Sequence, residues 1–309
     1  MLTYARTQIV DNAPVPHPYA GPQPSWLSSI SSLRELDVTY DAEEKILWQY
    51  MKPDGRPSFT PGLIKDCTAV IDAVERSHMM RGEGETDAVE YMILGSSLPG
   101  IYNLGGDLAR FRTLIERRDR DALRDYAHSC VHAQYRRAIR MNLPICTIAL
   151  VQGDALGGGF EVALSHDLIV AEQRAKFGLP EILFNLFPGM GAFSFLSRRL
   201  DAARAERLMT SGRLYSAGEM HEMGVVDVLA PDGEGVSAVL DLIGRHRRAA
   251  KARNAISRLR QMVSPITHQE LIDITDLWVE TALSLDARDL RKMSHLVAAQ
   301  DRRTSAPAA

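Results

Sequence analysis

Two glutamates decide what chemistry this sequence can do. Glu161 directly follows Gly157-Gly158-Gly159-Phe160, and Glu181 comes one apolar stretch later, in Phe177-Gly178-Leu179-Pro180-Glu181. Two carboxyl groups brought together in a dry pocket resist double ionisation, so one keeps its proton as an acid while the other serves as a base. Three consecutive glycines can turn tightly and leave backbone N–H groups uncovered at the start of a helix. Such N–H groups, helped by the helix dipole, suit a negative oxygen developing on a substrate carbonyl. Together these residues point to proton transfer beside a polarised carbonyl. The plainer account is that Glu161 complements a helix dipole and the glycines permit close packing.

The flanking segments must bring the two carboxyls together. Residues 145–151 are apolar and β-branched without alternation, as in a strand buried on both faces. After the glycine turn, residues 160–164 read as a helix and 168–171 as a short strand, so the chain can return Glu181 to the region of Glu161. Upstream, residues 36–40 and 46–51 read as two strands joined by a turn. Thr60-Pro61 opens a helix in which Leu63, Ile64, Cys67, Val70, Ile71 and Val74 recur at helical spacing. A third strand at 91–95 leads to a second glycine loop, Tyr102-Asn103-Leu104-Gly105-Gly106-Asp107-Leu108, in which Asp107 can cap the following helix. The helical region 110–140 carries Arg110, Arg112, Arg117, Arg118, Arg120, Arg124, Arg136, Arg137 and Arg140, either a solvated face or a docking face for an anionic carrier. Downstream, 193–200 and 202–211 read as helices, and 216–228 as helix, glycine and short strand.

This pattern predicts three regions: a proline-rich arm over 1–25, a catalytic core over 26–231, and a helical region over 232–309 that covers the site or joins subunits. Hydrophobic residues make up 45% of the 309, enough for a sizeable core. A net charge of −3 argues against a dedicated nucleic-acid binder. Cys67, Cys130 and Cys146 have no metal-ligand spacing, and the nine histidines are scattered, so no metal site is indicated. Neither a signal peptide nor a membrane span is apparent, and the expected location is cytoplasmic.

The run Gly153-Asp154-Ala155-Leu156-Gly157-Gly158-Gly159-Phe160-Glu161, followed by Phe177-Gly178-Leu179-Pro180-Glu181-Ile182 and Pro188-Gly189-Met190-Gly191, resembles the crotonase (enoyl-CoA hydratase/isomerase) superfamily. The resemblance implies an α/β fold with a crotonase-like ββα spiral core, a C-terminal helical layer and a trimer or pair of trimers. It makes Glu161 and Glu181 catalytic, assigns the oxyanion-hole N–H groups to Leu104 and Gly158, and lines the acyl pocket with Met190, Trp278 and Leu296. No cofactor is implied beyond the acyl carrier protein or CoA that bears the substrate.

Further details resemble the diffusible-signal-factor synthase branch: Leu47-Trp48-Gln49-Tyr50-Met51, Arg56-Pro57-Ser58-Phe59, the 102–108 loop, Gln152-Gly153-Asp154-Ala155-Leu156 and Leu296-Val297-Ala298-Ala299-Gln300-Asp301-Arg302. That branch dehydrates a 3-hydroxyacyl thioester on acyl carrier protein and hydrolyses it to a cis-2-enoic acid used as a quorum signal, and it associates with a sensor protein. An enoyl-CoA hydratase/isomerase of fatty-acid metabolism shares every catalytic residue and is the alternative. An RNA-binding or non-catalytic homologue is the alternative from another class.

Overall fold

The computed structural model describes residues 23–28, 30, 32–80 and 89–305, with the side chains of 299–305 excepted. Most of the expected arm, residues 1–22, and the polar loop expected at 81–84 lie outside the described residues.

Ten strands and twelve helices are described. The strands are β1 (Leu36–Asp41), β2 (Ile46–Met51), β3 (Tyr91–Ser96), β4 (Ile101–Asn103), β5 (Cys146–Val151), β6 (Asp154–Leu156), β7 (Leu168–Glu172), β8 (Lys176–Gly178), β9 (Leu214–Ser216) and β10 (Val228–Ala230). The helices are α1 (Ser25–Ser28), α2 (Pro61–Met79), α3 (Leu108–Glu116), α4 (Arg120–Ala138), α5 (Gly158–Leu164), α6 (Ala192–Arg199), α7 (Ala202–Ser211), α8 (Ala217–Glu222), α9 (Gly235–Arg248), α10 (Ala250–Val263), α11 (His268–Leu283) and α12 (Ala287–Ser305).

The main sheet runs β1-β2-β3-β5-β7-β10, antiparallel between β1 and β2 and parallel from there on. Its central strands are apolar at successive positions because both faces are covered. On one face Leu47, Met51, Met92, Leu94, Ala149 and Val151 join the large core beneath α2, α4 and α5. On the other, Ile46, Trp48, Tyr50, Ile93, Ile148 and Leu150 pack on Val239, Leu242 and Ile243 of α9. Trp48 and Leu47 are fully buried, and burying a side chain of this size stabilises by about 1.5–3 kcal/mol.

A second sheet, β4-β6-β8-β9, stands beyond the carboxyl ends of β3, β5 and β7. Ile101 pairs with Asp154 and Ala155 with Phe177, so the segments leaving β4, β6 and β8 emerge side by side. Those segments carry Leu104, the three glycines and Glu181. Three-residue strands are too short to leave a periodic signal, so this sheet was not legible in the sequence.

The predicted 110–140 helical region is two helices. α3 ends at Glu116, Arg118 takes a positive φ of 53°, and Asp119 restarts the helix by accepting the Ala122 N–H. Five of the nine arginines of this region pair with carboxylates of the chain itself: Arg112 with Glu116, Arg120 with Glu280, Arg124 with Asp276, Arg136 with Asp72 and Glu75, and Arg140 with Asp167. These pairs tie α4 and the turn after it to α2, to α11 and to the residue before β7. Among the described residues no helix is long and apolar enough to cross a membrane.

Candidate active site

Glu161 lies in the first turn of α5, whose N-cap Gly157 takes φ +50° and ψ −127°, a conformation that favours glycine. Its side chain is buried, 1% exposed. Oε1 accepts the N–H of Met190, from the Pro188-Gly189-Met190-Gly191 turn, at 2.8 Å and that of Ala192, at the start of α6, at 3.0 Å. That turn is held by α11: Thr275 Oγ1 donates to the Gly189 carbonyl at 3.0 Å, and the Trp278 ring sits where a Cβ on Gly189 would be, 2.3 Å from Cγ. The C-terminal helices therefore reach Glu161 through this turn.

Glu181 projects from the 3₁₀ turn Pro180–Phe184 that follows β8. Its Oε1 lies 2.5 Å from the position of a Cβ on Gly157, so the carboxyl faces the glycine turn from which α5 and Glu161 start. The residue is partly exposed, but its Oε2 is buried with no hydrogen-bond partner. Burial raises the affinity of both carboxyls for a proton. For Glu161 the two backbone donors work against that rise by favouring the anion, whereas for Glu181 the charge of Glu161 adds to it. The arrangement favours Glu161 as the anion and Glu181 as the proton holder.

This asymmetry has a measurable consequence for stability. Unfolded carboxyls ionise near 4.5, while the folded ones keep their protons to a higher pH. The contribution is intact below 4.5 and is lost as pH rises towards the folded values, because the unfolded state then releases protons that the folded state retains. Glu181→Gln removes this penalty and the repulsion from Glu161. Its Tm should exceed that of the wild type by a margin that widens from pH 5 to pH 8, roughly 2–4 °C for each kcal/mol relieved. A margin that is constant with pH in thermal melts would contradict the raised carboxyl.

The N–H groups of the glycine turn complete the site. Gly158 is buried at the start of α5 and packs against the second loop, with the backbone of Gly105 and Gly106 3.4 Å from the position of its missing Cβ. Leu104, proposed as the second donor, lies on this loop and is buried, but its N–H is not free: it donates to the Pro57 carbonyl at 2.7 Å. The neighbouring Gly105 N–H goes to Asn103 Oδ1 at 2.8 Å, and the Phe59 N–H returns to the Gly105 carbonyl at 2.8 Å. A carbonyl oxygen of the chain therefore sits on the Leu104 N–H.

Met190 lines a cavity beside the pair, with Phe59, Val162 and residues of α2 and α4. Trp278 and Leu296 do not line that cavity. Trp278 is buried under Gly189 and meets Phe111 edge-on at 5.0 Å, and Leu296 packs partly buried against the core from α12. Sequence reading missed the Met190 and Ala192 N–H donors, Thr275, and Gln134 of α4. In the orientation its neighbours require, Gln134 donates to the Met190 carbonyl at 2.8 Å and accepts the Val162 N–H at 3.2 Å. The two glycines in Pro188-Gly189-Met190-Gly191 were the available signal for such a close turn.

The enoyl-CoA hydratase/isomerase family matches residues 49–295. The chain belongs to that family. Members of the crotonase superfamily among curated proteins include methylglutaconyl-CoA hydratase of Rattus norvegicus, 30% identical over 227 residues, which cover 70% of this chain and 65% of the relative. The human protein of the same name is 30% identical over 226 residues, 71% of this chain and 61% of that protein. The chain thus spans somewhat under two thirds of these relatives' length. Among solved structures, human mitochondrial delta3-delta2-enoyl-CoA isomerase superposes with a TM-score of 0.69 at 18% identity, covering 88% of this chain and all of that one. Pseudomonas aeruginosa DspI superposes with a TM-score of 0.61 at 22% identity, covering 75% of this chain and 89% of that one. These superpositions establish the crotonase fold.

Proposed function

We propose that the protein adds water to, or removes it from, an acyl thioester of the enoyl-CoA type. The observation that carries this reading is the unequal pair: Glu161 anchored by two N–H donors, and Glu181 with a buried, unpartnered oxygen at the same glycine turn. In the hydration direction Glu161 takes a proton from water as its oxygen bonds to C3. The electron pair of the C2–C3 double bond moves to the thioester oxygen, and Glu181 then delivers its proton to C2 as the enolate collapses. Dehydration of a 3-hydroxyacyl thioester is the reverse. Gly158 supplies one donor to the enolate oxygen. Leu104 supplies the second once the substrate carbonyl replaces that of Pro57, an exchange of one acceptor for another at the same N–H. These steps use only groups of the chain and the substrate, whose carrier is CoA or acyl carrier protein.

A second, narrower reading is the signal synthase, favoured by the Tyr102–Leu108 stretch, by the stretch from Leu296 to Arg302 and by the same two glutamates. Here a 3-hydroxyacyl group on acyl carrier protein first loses water to become the cis-2-enoyl thioester, a second water molecule then attacks the carbonyl, and the carrier thiol leaves as the free cis-2-enoic acid is released. Docking of the carrier, association with a sensor protein and a trimeric or hexameric assembly belong to this reading.

One experiment separates the two. Purified protein is given 2-enoyl-CoA and, in parallel, 3-hydroxyacyl carrier protein, and the enoyl thioester, hydroxyacyl thioester and free acid are each measured by mass spectrometry. Interconversion of enoyl and hydroxyacyl thioesters without free acid is the expected result. Release of free cis-2-enoic acid from the carrier protein would replace it with the narrower reading, and no interconversion on either carrier would remove both.

A further inference from the structure

Three consecutive peptide groups run from Gly189 to Ala192, and each is held by a different helix. The Gly189–Met190 group donates its N–H to Glu161 Oε1, and its carbonyl accepts Thr275 Oγ1 of α11 at 3.0 Å. The Gly191–Ala192 group donates its N–H to the same oxygen, and its carbonyl accepts the Phe195 N–H of α6 at 2.9 Å. The group between them, Met190–Gly191, ends on a glycine at φ +102°, where the backbone can rotate most freely. Its carbonyl is held by Gln134 of α4, which donates to it at 2.8 Å. The oxygen of the same amide accepts the Val162 N–H at 3.2 Å, and that N–H belongs to the peptide group joining Glu161 to Val162. The reverse orientation would set two acceptors against each other at Met190 and two donors at Val162. One side chain, 3% exposed, therefore ties the backbone of Glu161 to the turn that supplies its donors.

The position of those donors has a chemical consequence. Burial raises the Glu161 carboxyl, while the Ala192 and Met190 N–H groups lower it by favouring the anion. Two titratable groups interact with Glu161: Glu181, from the turn after β8, and the Cys130 thiol of α4. Charged groups on the surrounding helices have partners of their own. Arg198 of α6 pairs with Glu270 of α11, Arg199 of α6 with Asp227, and Asp276 and Glu280 of α11 with Arg124 and Arg120 of α4. Arg137, one turn along α4 from Gln134, meets His166, which burial holds neutral. The two N–H groups are thus what favours the Glu161 anion.

Resting on the reading of Glu161 as the base that activates water, we propose that Gln134 is a positioning residue of the reaction. It keeps the Met190–Gly191 peptide from rotating and so holds the N–H groups on either side of it against Glu161 Oε1. The amide acts through the turn rather than on the carboxylate. Without it the donors drift, the anion is less favoured, and Glu161 becomes a competent base only at higher pH.

The test follows hydration of a 2-enoyl-CoA thioester across about pH 5–10 in the wild type, Gln134→Met and Gln134→Asn. Methionine keeps the length of the side chain and loses both hydrogen bonds. Asparagine keeps the amide one carbon too short to span both partners, and it serves if the Met variant does not fold. The acid limb of kcat/KM reports the base, and it should move up by about one pH unit in Gln134→Met, the worth of a weakened hydrogen bond to a charged group. In Gln134→Asn it should move the same way by a smaller step. The alkaline limb, set by Glu181, should stay in place in both, and at neutral pH kcat should fall more than KM changes. Val131→Ala is the control, because this buried position of α4 loosens packing when truncated and should leave the acid limb where it was. An acid limb unmoved in both Gln134 variants, or moved as far in Val131→Ala, overturns the proposal. If the wild type turns over no acyl thioester, the reading of the site has failed, and carboxyl NMR decides the role of Gln134. With ¹³C-labelled glutamate in a Glu181→Gln background, the resonance lost in Glu161→Gln must titrate at higher pH once Gln134 is replaced. Titration at the same pH would make Gln134 a packing residue only.

Discussion

Glu161→Gln and Glu181→Gln should each lower the hydration or dehydration rate by about 10²–10⁴-fold, and the double variant should be little worse than the weaker single one. Glutamine is nearly isosteric with glutamate, and its carbonyl oxygen can still accept the Met190 and Ala192 N–H groups that hold Glu161. The fold should therefore survive while the proton transfers are lost. At position 181 the amide removes a proton holder that Glu161 disfavours as an anion, so no stabilising ion pair disappears with it. Non-additivity follows because each proton transfer is useful only if the other completes the same addition. Turnover with enoyl, hydroxyacyl and free acid measured separately checks this, alongside circular dichroism to confirm folding. Near-normal turnover in either single variant would mean that the carboxyls do not act as a pair.

A single methyl group at the glycine turn should do comparable damage by a different route. A Cβ on Gly159 would lie 2.1 Å from the carbonyl oxygen and 2.7 Å from the carbonyl carbon of Asn103. Both obstructing atoms are backbone, in the strand that leads into Leu104 and is paired with β6, so neither can swing aside as a side-chain tip could. Gly159→Ala should cost about 3 kcal/mol or more, beyond the usual range for overpacking, and displace the Leu104 loop from Gly158. A shift of about 1 Å in the positioning of reacting groups can cost about 10²-fold in rate. Gly244→Ala is the control, because that helical position has nothing within 4 Å of an added Cβ. It should gain about 0.4–1 kcal/mol and leave turnover unaffected. Chemical denaturation and turnover of the two variants make the comparison, and a Gly159→Ala protein as stable and active as Gly244→Ala would show that α5 does not need this close approach.

The sequence by itself determined the inventory of the site and the elements that carry it. Apolar β-branched runs marked β2, β3 and β5, helical spacing marked α2, and the position of Glu161 behind three glycines marked the start of α5. These features are local, because a turn that needs glycine or a strand covered on both faces constrains the residues within it. The spacing of Glu161 and Glu181, with the turn after each, carried the family as well.

Tertiary structure decided what those groups are able to do. The second sheet, built of three-residue strands, brings the 104–106, 157–159 and 179–181 segments together, and pairings between distant short segments leave no periodic trace. It gave Glu161 two N–H donors from Met190 and Ala192 and left Glu181 with none on Oε2, which makes two chemically identical side chains unequal. It placed the Pro57 carbonyl on the Leu104 N–H, and it enclosed Trp278 beneath the Gly189 turn, away from the cavity that Met190 lines. It also divided one run of arginines on α4 and the turn after it into those matched by carboxylates of α2, α11 and the chain before β7, and Arg137, whose side chain meets His166 instead. Residue type sets a charge, but burial and the partner across the packing interface set its proton affinity.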